Sequence, residues 1–254
     1  MSGHQLYDMH VHLGWFAEAG EVAERATRLG AGMLAVTVTP AEYLRLRDEL
    51  AGEKNVALAA GLHPWWVRDA RDADALCELL TGVRWVGEVG LDASPRHTAT
   101  YRSQLDAFEL VCDAAARASD PEAPHVLSVH AVRAAGDALD VLERTGAAER
   151  CRCVLHWFSG TSEELWRAAR LGCLFSMGER ALATRRGREY ARVLPGELLL
   201  SETDLPPERG SALGAEDLVV SLERTIARVA AARGADEDDV RALLAANAGR
   251  VLLA

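Results

Sequence analysis

The sequence predicts a (β/α)8 barrel of the TIM type with a metal site at the C-terminal ends of its strands, and three observations carry that expectation. Short apolar runs alternate with amphipathic stretches along all 254 residues. Histidine and acidic residues recur where those runs end. No Gly-x-Gly-x-x-Gly follows the first run, which disfavours a doubly wound open sheet, the other architecture with this alternation.

Residues 5–11 read as a buried strand, so His10 and His12, two apart, project to the same side. Residues 17–29 carry Val22, Ala26 and Leu29 at helical spacing, with Gly30 and Gly32 as a stop. A β-rich run at 33–39 closes at Pro40, and a helix at 41–50 leads to a third strand at 56–61 that ends in His63-Pro64. After a short helix at 73–80, a fourth strand at 84–89 ends in Gly87-Glu88-Val89-Gly90-Leu91-Asp92. Residues 101–118 form a long helix whose inner face holds Leu105, Phe108, Val111 and Cys112. Strands at 126–129 and 152–155 deliver His130 and His156, with a helix at 134–143 between them. A helix at 162–171, a strand at 173–176 and a helix near 184–193 precede the last strand, 198–201, which delivers Glu202 and Asp204. Helices at 217–233 and 236–246 finish the chain. No linker or repeat marks a second domain, so residues 1–254 read as one barrel.

Composition narrows the classes of function. The net charge of −10 gives no general attraction for nucleic acid, so any polyanion must be held locally. Lys54 is the only lysine among 28 basic residues, a bias that need not concern phosphate. The chain has no apolar run of membrane-spanning length, and the start Ser2, Gly3, His4 and Gln5 is polar where an export leader is basic and then apolar, so an unexported protein is expected. Cys77, Cys112, Cys151, Cys153 and Cys173 are odd in number and lack a Cys-x-x-Cys pair, as expected of reduced thiols in a soluble, cytoplasmic protein.

His10, His12, His63, Glu88, His130, His156 and Asp204 all fall at the carboxyl ends of predicted strands, the face on which such a barrel gathers its catalytic loops. Of the eight histidines only His4, His97 and His125 lie elsewhere. These residue types fit a binuclear hydrolytic centre, with His10, His12 and Asp204 on one ion, His130 and His156 on the other, and Glu88 between them. A carboxylate suits the bridge because its two oxygens can each bind one of two cations about 3.5 to 4 Å apart. The expected cofactors are two divalent ions, Mg, Mn or Zn.

The motifs Asp8-Met9-His10-Val11-His12, Gly61-Leu62-His63-Pro64, Gly87-Glu88-Val89-Gly90-Leu91-Asp92, His156-Trp157-Phe158-Ser159-Gly160, Glu202-Thr203-Asp204 and Asn247-Ala248-Gly249-Arg250 resemble those of the TatD family of metal-dependent deoxyribonucleases. They occur in the family's order across nearly the whole chain. The resemblance implies a barrel, a divalent-metal centre with these ligands, and hydrolysis of DNA phosphodiesters, typically from a 3′ end. Residues 36–40, 91–95 and 154–160 further resemble the TatD-type nuclease of Qat anti-phage systems, which implies a role beside other defence proteins.

Two departures stand out. Where the family places Ser-Arg after the fifth-strand histidine, Ala131 and Val132 precede Arg133; where many members have a polar residue after His63-Pro64, Trp65 and Trp66 stand. His63, Trp65 and Arg133 are the expected substrate contacts, Trp65 by stacking on a base. Asp204 is the expected base, sharing the catalytic role with Glu88, while Asp92 and Glu202 are expected to fix ligands and loops. The substrate expected is DNA with single-stranded or frayed 3′ ends.

Two other functions compete. A binuclear amidohydrolase acting on a cyclic amide or lactone shares His-x-His on its first strand, but its common form bridges the metals through a carboxylated lysine on the fourth; here Glu88 stands there and Lys54 lies in a loop. A non-catalytic barrel within a larger assembly has no physical need for so complete a ligand set.

Overall fold

The computed structural model describes residues 6–252; His4 and Gln5 lie outside the described residues. The strands are β1 (Leu6–Val11), β2 (Ala31–Val36), β3 (Val56–Leu62), β4 (Trp85–Asp92), β5 (Val126–Val132), β6 (Arg152–His156), β7 (Leu174–Met177) and β8 (Leu199–Ser201). The helices are α1 (Ala19–Arg28), α2 (Pro40–Glu49), α3 (Asp74–Leu79), α4 (Tyr101–Ala118), α5 (Ala135–Arg144), α6 (Ala147–Arg150), α7 (Ser162–Arg170), α8 (Glu179–Ala183), α9 (Arg185–Val193), α10 (Ala215–Arg233) and α11 (Glu237–Leu252). The strands follow one another in a single sheet in chain order, the topology of a (β/α)8 barrel. Every residue of β1 and β2 is buried, as expected of parallel strands covered on both faces.

Two compact units divide the chain's contacts. The first joins the segment through Ala35, Leu44–Leu58 and the segment from Phe175 onward. In it β8 returns beside β1: Ser201 Oγ donates to the Tyr7 carbonyl at 2.7 Å, and the Asp204 amide donates to the His10 carbonyl at 2.9 Å. Asn247, inside α11, donates through Nδ2 to the carbonyls of Gly196 and Leu199 at 2.8 and 2.7 Å, tying the helix to the entry of β8. That anchoring is tertiary, and it is why α11 runs to Leu252 although the periodicity predicts a stop at 246.

The second unit holds Val36–Tyr43 and Ala59–Leu174. Here β4 and β5 run past their predicted ends, so His130, expected just after its strand, lies within β5, and Glu88 lies within β4 as expected. The parallel register continues through Gly90↔His130, Leu91↔Ala131 and Asp92↔Val132. Gly90 makes this possible: its φ is +136°, and a Cβ there would stand 2.1 Å from the His130 carbonyl oxygen. α7 begins at a capping box in which Thr161 and Glu164 satisfy each other's backbone amides. α6 and α8 are too short to show a helical period in the sequence. All five cysteines are free thiols, and no helix among the described residues is long and apolar enough to cross a membrane.

Candidate metal centre

In the first unit the donors come from β1 and from the turn after β8. Asp8 and His10 lie in β1, His12 follows directly after its last residue, and all three are buried. Asp8 receives the His10 amide at 3.2 Å, the Thr203 amide at 3.0 Å and the Thr203 hydroxyl. Burial pushes the Asp8 carboxyl up to about 7 against the pull of those hydrogen bonds. Its role is to fasten the first strand to the Glu202-Thr203-Asp204 turn.

Asp204 itself has φ +56°, a left-handed conformation unusual for a residue with a side chain. Its Oδ1 lies 3.4 Å from His12 Nε2 and 3.9 Å from His10 Nε2, while Arg180 Nη1 holds Oδ2 at 3.2 Å. His12 stacks on Trp15, with ring centroids 4.4 Å apart, and the Arg209 guanidinium lies 5.2 Å over the Trp15 ring. Glu202 is buried and accepts a hydrogen bond from the Ser176 hydroxyl of β7.

In the second unit three imidazoles converge on one carboxylate oxygen. Glu88 Oε1 lies 2.8 Å from His130 Nδ1, 3.1 Å from His156 Nε2 and 3.2 Å from His63 Nε2. All four side chains are buried. The Trp65 amide donates to His63 Nδ1 at 3.1 Å, which leaves the His63 proton on the Nε2 that faces Glu88. Burial opposes a charge on His130, but Asp92, 3.6 Å from its Nε2, and the hydrogen-bonded Glu88 prevail and hold its pKa up at about 9. Burial likewise works against the Asp92 carboxylate, yet His130, Ser94 and Trp65 hold its pKa well below the usual range. Carboxylates that bind a proton so firmly through an imidazole attract any cation placed there, and an imidazole and carboxylate donor set suits Mg, Mn or Zn.

Asp92 is pinned further by its own surroundings. Its amide donates to Gln104 Oε1 at 2.8 Å, and Trp65 Nε1 donates to its Oδ2 at 2.6 Å. Trp65 is 51% exposed and stacks on His97, with centroids 5.0 Å apart. Arg133, directly after β5, is exposed, has φ +54° and makes no ion pair among the described residues.

The structure thus gathers His10, His12 and Asp204 in one unit and His63, Glu88, His130 and His156 in the other, with Asp92 and Trp65 attached to the latter. Sequence reasoning missed Asp8, Trp15, Arg180 and Arg209 as partners of these donors. Asp8 was recoverable, since 8, 10 and 12 alternate onto one face. The other three meet the site only through the folded chain.

Residues 7–253 match the family described as TatD related DNase. The chain is 34% identical over 216 residues to the 3′-5′ ssDNA/RNA exonuclease TatD of Edwardsiella piscicida, covering 79% of each protein. It is 29% identical over 263 residues to the enzyme of the same name from Citrobacter rodentium, covering 97% of each. Among solved structures, YJJV, a TatD homologue of Escherichia coli K12, superposes with a TM-score of 0.80 at 21% identity over 98% of both chains, which shows the shared fold. A match across nearly its whole length places this chain in the TatD-related deoxyribonuclease family of metal-dependent hydrolases.

Proposed function

We propose that the protein is a divalent-metal-dependent exonuclease that shortens single-stranded or frayed DNA from the 3′ end. The observation that carries this reading is the convergence of three imidazole nitrogens on the buried Glu88 Oε1. A buried carboxylate so surrounded is a cation site in the making, and the relatives named above are nucleases. Residues 1–254 act in this reading as one barrel.

In the proposed centre His10, His12 and Asp204 would hold one ion, and Glu88, His130 and His156 would hold a second. When bound, such ions polarise the phosphodiester and make water a competent nucleophile at neutral pH. The chain's own residues do the rest. Asp204 orients the attacking water and takes its proton, and Arg180 on Oδ2 keeps that carboxylate facing the two histidines. His63, with its proton on Nε2, donates to a phosphate oxygen or to the departing one. Asp92 and Glu202 lock the ligands from behind through His130 and Ser176. Arg133 meets the phosphate backbone, and Trp65 offers a ring for a base. The likeness of residues 36–40, 91–95 and 154–160 to Qat nucleases adds a setting, defence against phage beside other proteins of that system.

A cleavage panel tests this reading. End-labelled single- and double-stranded DNA, RNA and cyclic amides are offered to chelated protein with and without Mg, Mn or Zn. Chelated protein is expected to be inactive, metal to restore it, and the products of single-stranded DNA to shorten from the 3′ end. Chelator-resistant cleavage, or turnover of cyclic amides alone, overturns it.

A further inference from the structure

Trp157 follows His156, the last residue of β6, by one peptide bond. Its φ is +40°, a left-handed conformation that is unfavourable for a bulky side chain and that glycine or asparagine takes more readily. Among the described residues only Arg133, Trp157 and Asp204 carry a side chain at positive φ, and each lies just beyond a barrel strand, β5, β6 or β8. Backbone strain of this kind persists where function demands it.

Burial does not account for the position. Trp157 is 37% exposed, while its neighbour Phe158 is 8% exposed and packs against Gly160, where a Cβ would meet the Phe158 ring at 2.6 Å. Phe158 is thus buried while part of the Trp157 side chain reaches solvent, one peptide bond from a candidate ligand. On a chain of net charge −10, electrostatics do little to retain a nucleic acid, whereas stacking on an indole is independent of charge.

Resting on the nuclease reading above, we propose that Trp157 is a substrate-binding residue that stacks on one unpaired base of the strand and so fixes which nucleotide reaches the metal centre. The consequence is a preference for strands whose end bases are free to leave their partners. An enzyme gripping phosphate alone would not show a penalty confined to one base.

The test uses the metal-loaded protein on single-stranded oligodeoxynucleotides that are intact or carry one abasic unit at the first, second or third position from the cleaved end. Wild type is expected to lose about 5- to 100-fold in kcat/KM at one position beyond any that Trp65 serves, a loss within the range of a single base stack, and a wild type with no position-dependent loss overturns the proposal. Trp157→Leu, which keeps bulk without an aromatic face, should lose a similar factor on the intact strand, mostly in KM, and lose little more when that one base is removed. Trp157→Phe should recover most of the loss. A Leu variant whose penalty is the same on intact and abasic strands, or whose loss Phe does not relieve, overturns the stacking role while the nuclease reading stands. A wild type that cleaves none of these strands with any of the three metals overturns both.

Discussion

In the unit that contains β4 and β5, three imidazole nitrogens stand within 3.2 Å of Glu88 Oε1. In the unit of β1 and β8, His12 and His10 lie 3.4 and 3.9 Å from Asp204 Oδ1, and Asp204 shares its other oxygen with an exposed arginine. The carboxylates differ as much as the spacing does: the Glu88 side chain is 3% exposed and that of Asp204 15%. A carboxylate enclosed by imidazoles has no freedom to turn toward substrate and suits a fixed ligand. One that reaches solvent suits proton transfer. The two units also fasten their strands differently, the first through the side chains of Asp8, Thr203 and Ser201, the second through the close backbone approach that Gly90 permits.

The largest effect expected from this contrast is at Glu88. Glu88→Gln keeps length and volume but removes the charge and one of two metal-binding oxygens, so hydrolysis should fall by about 10³-fold or more, roughly 4 kcal/mol of transition-state stabilisation. Metal stoichiometry should drop by at least one ion while the circular dichroism of the fold is retained. Asp204→Asn, at the more open carboxylate, should bind metal closer to normally and lose chiefly turnover. A Glu88→Gln protein that holds two ions and cleaves within about tenfold of wild type would erase the distinction.

The donors were legible in the sequence because each sits where a predictable strand ends. Apolar runs locate the strands, and polar residues after them have few other reasons to be there. The lengths of β4 and β5 were not legible, since Gly90 reads as a strand breaker and acts instead as the point of closest approach between strands. Nor was the left-handed backbone of Arg133, Trp157 and Asp204, which follows from loop geometry and has no residue signature. Arg180 joins Asp204 from 24 positions away, and nothing local to either residue announces that pairing.

The glycine-based seam should break at Gly90. An added methyl there meets the His130 carbonyl at 2.1 Å and forces a side chain onto φ +136°, so neither rotation nor a small shift relieves it. Gly90→Ala should cost more than ~4 kcal/mol of folding stability, at the diagnostic end of single substitutions. Urea unfolding measures it. A loss under about 1 kcal/mol would show that β4 and β5 tolerate separation and that the approach is incidental.

The polar seam should yield more gently. Asp8 is buried and takes two hydrogen bonds from Thr203, through the amide and through the hydroxyl. Thr203→Val keeps the shape and the amide but deletes the hydroxyl, leaving a buried carboxyl short of a donor that water cannot easily replace. The expected cost is about 1 to 3 kcal/mol, the penalty of one unsatisfied buried polar group. Thr203→Ser restores the donor and loses only a methyl, so it should stay within about 1 kcal/mol of wild type. Because Thr203 immediately precedes Asp204, the Val variant should also loosen the first donor cluster, visible as weaker metal binding with Glu88 untouched. Equal stabilities for Val and Ser would mean that the hydroxyl holds nothing. The seam between the first and last strands would then rest on the Ser201 hydroxyl, the Thr203 amide and the backbone bonds.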